Sequence, residues 1–420
     1  MIYLPAIVFS RLARLFIRRF RPGGGSALPG LMLSKIAPKL LAKSLRSFPQ
    51  GVVVITGSAG KSTTTKMVVA IAREHGLEVF TNPSTANIRQ GFFSSIIEKS
   101  DLFGRIPGDI AILEMDEGHA ESITEEVAPR IVTLLNVLED QLDRFVEPSV
   151  VRAKLQSVAN RATQAVLLNA DDQNILLINQ NIAPSEKVWF GISPQLLDGD
   201  DLGVAPTYTD KLDRPRVNAE VQSLNGKRCA VTVGEREAIF DLPNRGLHYA
   251  LDSIAALATA KELLGEKFDL VLAEKVLDEL PPVFARGEVV QIAGQSVEFV
   301  LVQNPTSFQL NLDSLDLPLD RLMIAIGRDV HDPSWLWTVD MSRIQHVDLI
   351  SGYNYAELGL RLAYEGVTVD TVEPDLFAAI DKFMQLPAPN SGLRTVVFSA
   401  DAMRRLRRHL GFTSPEEVER

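Results

Sequence analysis

The sequence predicts an α/β protein. Its main part is a phosphate-loop domain on a doubly wound parallel sheet with a small β-rich insertion. A smaller α/β domain follows. Three observations predict this. Gly51–Thr65 reads GVVVITGSAGKSTTT, a strand running into a glycine loop and then a helix. Apolar strand-length runs then alternate with helix-length periodic runs as far as Ile192. The alternation lapses over residues 194–245, and a second strand–helix series begins at Glu288.

Composition bounds the rest. A chain of 420 residues with 46% hydrophobic content predicts two or three domains with real cores. The single cysteine, Cys229, excludes a disulfide framework and a multi-cysteine zinc site, and fits a reducing cytoplasm. The start lacks the order of a secretory signal, and no run approaches the ~18 apolar residues of a membrane span. Charge is uneven. Residues 1–50 hold nine Lys/Arg and no Asp/Glu, which leaves 34 basic and 53 acidic residues, net −19, for the remainder. An acidic body argues against nucleic acid as a ligand.

At the N-terminus, Arg11, Arg14 and Arg18 recur at helical spacing among Leu12, Leu15, Phe16 and Phe20. Two readings stand: a basic amphipathic helix lying on an anionic membrane surface, or a helix packed on the body with its arginines in solvent. Pro22–Gly25 ends it, and a second helical run, Leu31–Leu45, carries Lys35, Lys39 and Lys43 on one face.

The phosphate loop follows, with Val52–Thr56 as strand and Met67, Val68 and Ile71 in the succeeding helix. Glycines let backbone N–H groups face an anion, and the helix N-terminus adds partial positive charge. Lys61 reaches outer phosphates, and Ser62 places a hydroxyl on Mg²⁺. The loop is the short G-x-x-G-K-S form, since Ile55 stands where the long form has its first glycine.

Further strands are expected at Glu78–Phe80, Asp109–Met115, Arg130–Val137, Ala165–Asn169 and Val188–Ile192, with helices at Ile88–Glu98, His119–Val127 and Ser149–Asn160. Ligands of such sheets bind beyond the strands' carboxyl ends. Three polar groups fall there: Glu114, Asp116 and Glu117; Asn136, Asp140 and Asp143; Asn169, Asp171 and Asp172. Mg²⁺ takes oxygen ligands, and Glu114, ending an apolar strand, is the best candidate. The other reading, helix caps and solvated first-turn charges, suits Glu117 and Asp172.

Residues 194–245 read as the β-rich insertion, with Val217, Val221, Val231 and Val233 as its core. A helix runs from His248 to Leu264, and Pro281-Pro282 marks a boundary. The later strands are Val297–Val302, Leu322–Ile326, Val347–Ile350, Val367–Val372 and Thr395–Phe398, with helices near Tyr355–Tyr364, Leu376–Met384 and Ala402–Leu410. The expected domains are 1–48, a basic helical segment; 49–282, the nucleotide-binding domain; and 283–420, the second α/β domain.

Several blocks now resemble one family. VITGSAGKSTTTKM is similar to the short phosphate loop of the Mur ligases, and ILEMDE, NVLEDQLDRF and LLNADD resemble their later signatures. GGGSALPGLMLSKIAPKLLAK, RGEVV, VQNPTSF, DPSWLW with VDMSRI, ISGYNYAELGLRLAYEGV and VEPD resemble the MurT-like subunit of lipid II isoglutaminyl synthase. The resemblance implies a Mur ligase-like central domain and a Rossmann-like C-terminal domain. It implies ATP-dependent amidation, through an acyl phosphate, of the D-isoglutamate α-carboxylate of lipid II. The ammonia would come from a glutaminase subunit in a heterodimer. The expected place is the cytoplasm, and the inner face of the membrane only under the lipid-surface reading of the N-terminal helix.

By the same resemblance, Gly57, Ser58, Gly60, Lys61, Ser62 and Thr63 hold ATP phosphates, and Ser62 and Glu114 hold Mg²⁺. Asn87, Asp172 and Arg286 line the nucleotide site or its neighbourhood, a surface charge being the other reading of Arg286. Asp332 serves a partner glutaminase's histidine, with Asp329 and Asp340 as runners-up; an Asp-Pro helix cap is the other reading of Asp332. The departures are a missing four-cysteine zinc ribbon, so no zinc is expected; Tyr249 and Asp252 in place of asparagines; Gln303 in place of lysine; and Gln141 in place of a metal-binding histidine. Two alternatives follow, a free-standing Mur-type amino-acid ligase and a non-catalytic nucleotide-binding scaffold.

Overall fold

The computed structural model describes residues 3–20, 27–83, 87–138, 147–182, 186–197, 204–207, 209–281, 286–315 and 317–412. The chain divides into two compact units. The first comprises Met1–Pro243 and Leu247–Leu280, and the second Asn244–Gly246 and Pro281–Arg420. Asp140, Gln141, Asp143 and Pro282 lie outside the described residues, as does the side chain of Arg286.

The first unit opens with three helices, α1 (Leu4–Phe20), α2 (Ala27–Ile36) and α3 (Leu40–Leu45). The single helix expected over Leu31–Leu45 is two, because Pro38 carries no backbone N–H to continue the first. Strands and helices then alternate: β1 (Val52–Thr56), α4 (Lys61–Glu74), β2 (Val79–Phe80), α5 (Arg89–Lys99), β3 (Ile110–Glu114), α6 (Glu117–Glu126) and β4 (Ile131–Leu134). The series continues through α7 (Pro148–Ala159), β5 (Ala165–Asn169), α8 (Gln173–Asn179), β6 (Glu186–Ile192) and α9 (Pro194–Leu197). Three more strands, β7 (Ala219–Asn225), β8 (Arg228–Val233) and β9 (Arg236–Asp241), lead to α10 (Leu247–Leu264) and α11 (Leu270–Glu279).

These strands form one nine-stranded sheet in the order β2-β3-β1-β4-β5-β6-β7-β8-β9. It is parallel from β2 to β7 and antiparallel from β7 to β9. Every residue of β1, β3, β4 and β5 is buried, which explains their unbroken apolar runs: both faces are covered. The insertion strands are thus an antiparallel extension of the main sheet. Val221, Val231, Val233 and Cys229 are buried there, and Val217 is half-buried. The N-terminal helices share the unit's core, through Ile7, Leu33, Leu40, Leu41 and Leu45.

The second unit holds β10 (Arg286–Ile292), β11 (Gln295–Leu301), α12 (Pro305–Ser314), β12 (Leu322–Ala325), β13 (His346–Ser351), α13 (Tyr355–Tyr364), β14 (Thr368–Glu373), α14 (Leu376–Gln385), β15 (Arg394–Phe398) and α15 (Ala400–His409). Its six-stranded sheet runs β10-β11-β15-β12-β13-β14, parallel except for the β10–β11 hairpin. Alternate residues of β12 enter two cores: Leu322 and Ile324 one, Met323 and Ala325 the other. Both faces of this sheet are therefore covered.

Candidate phosphate site

The loop between β1 and α4 can be built only with glycine at two places. Gly57 and Gly60 have φ of +140° and +82°. A methyl on Gly57 would lie 2.9 Å from the Asn136 nitrogen, and one on Gly60 would lie 2.1 Å from Asp252 Oδ1. The end of β4 braces the loop. Ser58 N–H donates to the Asn136 carbonyl at 3.0 Å. Asn136 Oδ1 accepts from Ala59 N–H at 2.8 Å, and Ser58 Oγ accepts from Leu138 N–H at 3.1 Å. The first turn of α4 then presents Lys61, Ser62 and Thr63 from a helix N-terminus, where N–H groups lack intrahelical acceptors.

Lys61 is not held out in solvent. Its Nζ donates to the carbonyls of Gly57 and Ser58 and meets Glu117 Oε2 at 3.2 Å. Its side chain is 11% exposed and that of Glu117 1%. Burial works against the ammonium, but Glu117, then Glu114 and Asp116, outweigh it and raise the lysine above its ordinary value. The solvated first-turn reading of Glu117 fails here. Asp116 supplies the helix cap, accepting from Gly118 N–H at 3.0 Å, and leaves Glu117 to the lysine.

Glu114 is held at both ends. Asn82 clamps its backbone, accepting from Glu114 N–H at 3.1 Å and donating to its carbonyl at 3.0 Å. Asn87 Nδ2 donates to Glu114 Oε1 at 3.0 Å, and the Asn87 carbonyl accepts from Asp116 N–H. So Asn87 orients the carboxylate named as the metal candidate. Asp172 lies deeper, fully buried. It caps α8 through Asn174 and Ile175 N–H and accepts from Val137 N–H at 2.6 Å. Burial pushes its carboxyl up to about 7 against those donors.

The set fits a phosphate with a hard divalent cation. Glycine positions that a Cβ would fill leave backbone to line a cradle, and an ammonium, a hydroxyl and an oriented carboxylate surround it. Ser58, Lys61, Asn87 and Glu114 come together with the loop glycines. Glu117, Asn136 and Asp252 belong to the same neighbourhood, although none was a predicted ligand. Asn136 gave a signal, as a polar residue at the carboxyl end of a strand. Tyr249, one turn before Asp252 on α10, is buried and lies against His248.

In the second unit, Asp332 caps the 3₁₀ turn Pro333–Thr338, accepting from Ser334 N–H at 3.0 Å. It is exposed, and the Ser334 hydrogen bonds hold its carboxyl below the usual range. Asp329 is engaged by Ser399 Oγ at 2.6 Å, and Asp340 by Ser342 N–H at 2.9 Å. Exposed Trp337 lies edge-on to exposed Tyr364, 5.4 Å between centroids. Gln303 precedes the Asn304 cap of α12.

Comparison with known proteins places this geometry. The Mur ligase middle domain matches residues 55–260, and the MurT ligase C-terminal domain matches residues 301–395. The chain belongs to the Mur ligase family. With a Mur ligase middle domain and a MurT-type C-terminal domain, it is a ligase. It is similar to the MurT subunit of lipid II isoglutaminyl synthase from Streptococcus pneumoniae: 27% identity over 393 residues, covering 84% of this chain and 85% of that one. Among solved structures, MurF from Acinetobacter baumannii matches with a TM-score of 0.67 and 14% identity, over 92% of this chain and 80% of that one. MurF from Thermotoga maritima, in complex with ADP, matches with a TM-score of 0.62 and 16% identity, over 93% and 83%. Those two establish the fold of this Mur ligase.

Proposed function

We propose that this Mur ligase amidates the D-isoglutamate α-carboxylate of the lipid II stem peptide, in peptidoglycan biosynthesis. ATP would activate the carboxylate as an acyl phosphate, and ammonia from a partner glutaminase would displace the phosphate. One observation carries the reading: a phosphate cradle with Lys61 and an oriented Glu114 stands on the same chain as a C-terminal domain of the MurT type.

A carboxylate is a poor electrophile; phosphorylation by ATP would give it a phosphate leaving group, and Mg²⁺ held by Ser62 and Glu114 would offset phosphate charge. The chain's residues do the positioning. Gly57, Ser58, Gly60, Lys61, Ser62 and Thr63 hold phosphate; Ser62 and Glu114 hold the cation. Asn87 keeps Glu114 aimed. Asp172 acts one step back, fixing Val137 beside the Asn136 brace of the loop. Lys61 exchanges Glu117 and the loop carbonyls for phosphate oxygens. Asp332 completes the partner's histidine–cysteine pair by fixing the imidazole tautomer. Zinc has no role.

The test is product formation from lipid II. The chain with Mg²⁺, ATP and an ammonium salt should yield isoglutamine, and glutamine should replace ammonium only when a glutaminase subunit is added. A product made with a free amino acid and not with ammonia would favour a free-standing ligase and overturn the reading. Nucleotide binding without either product would favour a scaffold.

A further inference from the structure

Helix α1 reverses what its arginines suggested. Arg11 Nε donates to the Ile97 carbonyl at 2.9 Å, and its other nitrogen reaches the Ser100 carbonyl. Arg14 pairs with Glu98 at 2.7 Å. With buried Ile7 and Ser10, these arginines form the face turned to the protein. The opposite face is apolar. Val8, Phe9, Leu12, Leu15 and Phe16 recur at helical spacing and are exposed, Leu12 by 61% and Leu15 and Phe16 by 67% each. The apolar surface continues onto a loop. Leu102 and Phe103 are exposed, the Phe103 carbonyl accepts from Lys43 at 3.0 Å, and Gly104 lies against Leu40 and Ile7.

A solvent-facing stripe of this size is a docking surface. We propose that it seats the protein on an anionic lipid bilayer, with Leu12, Leu15 and Phe16 entering the headgroup–acyl boundary. Charge decides the occupant. The segment 1–50 that carries the stripe has no Asp/Glu, and seven of its nine Lys/Arg remain beside the inward-facing Arg11 and Arg14, in a chain whose remainder is net −19. Exposed Lys35 and Lys39 flank exposed Ile36, and Arg18 and Arg19 follow the stripe in the helix. Of the neighbouring acids, Glu98 is taken by Arg14 and Asp101 by its own loop's N–H groups. An apolar stripe with basic surroundings complements anionic headgroups over hydrocarbon. Among the described residues no helix is long and apolar enough to cross a membrane, so the helix would lie in the interface. The inference rests on the patch and not on the proposed reaction.

The test is co-sedimentation of the full chain with phosphatidylcholine vesicles, with or without phosphatidylglycerol. Wild type should pellet with the mixed vesicles, far less with phosphatidylcholine alone, and less as salt rises. The triple variant Leu12→Ser, Leu15→Ser, Phe16→Ser changes exposed positions only and should keep the wild-type circular dichroism and melting curve. It should bind at least about tenfold more weakly, because three apolar side chains no longer partition. Failure of wild type to pellet with either vesicle would overturn the inference. So would equal pelleting of wild type and triple variant, or a wild-type self-association that the variant abolishes in the absence of lipid binding.

Discussion

At Lys61 one substitution has two consequences. The ammonium is buried with Glu117 and stacked on loop carbonyls. Lys61→Ala should abolish ATP-dependent turnover by removing the charge aimed at phosphate. It should also destabilise the first unit by about 3 kcal/mol, because a buried carboxylate is left without its partner. Urea unfolding should show the double variant Lys61→Ala, Glu117→Gln recovering part of that loss, while turnover stays absent. A fully stable single variant would mean that Glu117 finds another cation or a proton. This pair was not legible in the sequence: the two residues lie 56 positions apart, and nothing in their spacing sets them face to face. Sequence reading aimed Lys61 at phosphate alone and offered a solvated helix turn as one of two readings of Glu117.

Asp172 gives a second residue-scale expectation. Burial lifts its carboxyl to about 7, well above the ordinary aspartate range. A raised carboxyl pKa means the folded state holds its proton after the unfolded chain has lost it. Stability therefore falls as pH rises from about 4 to about 7, then levels, by up to a few kcal/mol. The stability of wild type minus that of Asp172→Asn should follow this slope in urea titrations between pH 4.5 and 8. A difference that grows with pH would show that the Val137, Asn174 and Ile175 N–H groups hold the ionised form instead.

Elements were legible where local signals agree. The buried parallel strands read as apolar runs, and β5 and α13 have the expected bounds. The missed helices carried signals of their own. Asp269 caps α11 before Leu270, Ala273 and Leu277, and Asn304-Pro305 opens α12. The phosphate loop was legible as a motif, but what it packs against was not. Asp252 comes from α10, far along the chain, and touches the loop at Gly60 because α10 covers the sheet there. Gly60→Ala is then doubly unfavourable: φ is +82° and the new methyl would meet Asp252 Oδ1 at 2.1 Å. It should weaken nucleotide binding at least about tenfold in calorimetric titration. A Gly60→Ala, Asp252→Gly pair removes the contact and not the φ strain, so it should regain only part of the affinity. Full affinity in Gly60→Ala would mean that α10 moves aside freely.

For the whole molecule, the two α/β units were legible because each carries its own strand–helix alternation. How the chain works with a partner falls to Asp332. The side chain is exposed, and the Ser334 hydrogen bonds it accepts hold its carboxyl below the usual range. A charged acceptor at a fixed position is what a partner's histidine needs to hold one tautomer and to stabilise the imidazolium. Pro333 stiffens the turn that carries it, and exposed Trp337 and Tyr364 on the same unit are residue types favoured as interface anchors. Of the two neighbouring acids, Asp329 is engaged by Ser399 Oγ, whereas exposed Asp340 accepts from Ser342 N–H as Asp332 does from Ser334. Asp332→Asn separates the cap from the charge, because an asparagine oxygen still accepts from Ser334 N–H and preserves the turn. In the assembled complex it should reduce glutamine hydrolysis by about a hundredfold or more. ATP binding, complex formation on gel filtration and amidation from added ammonium should be unchanged. Wild-type glutamine hydrolysis by Asp332→Asn would remove this residue from the partner's site, and the same assay on Asp329→Asn and Asp340→Asn would then identify the acid that serves it.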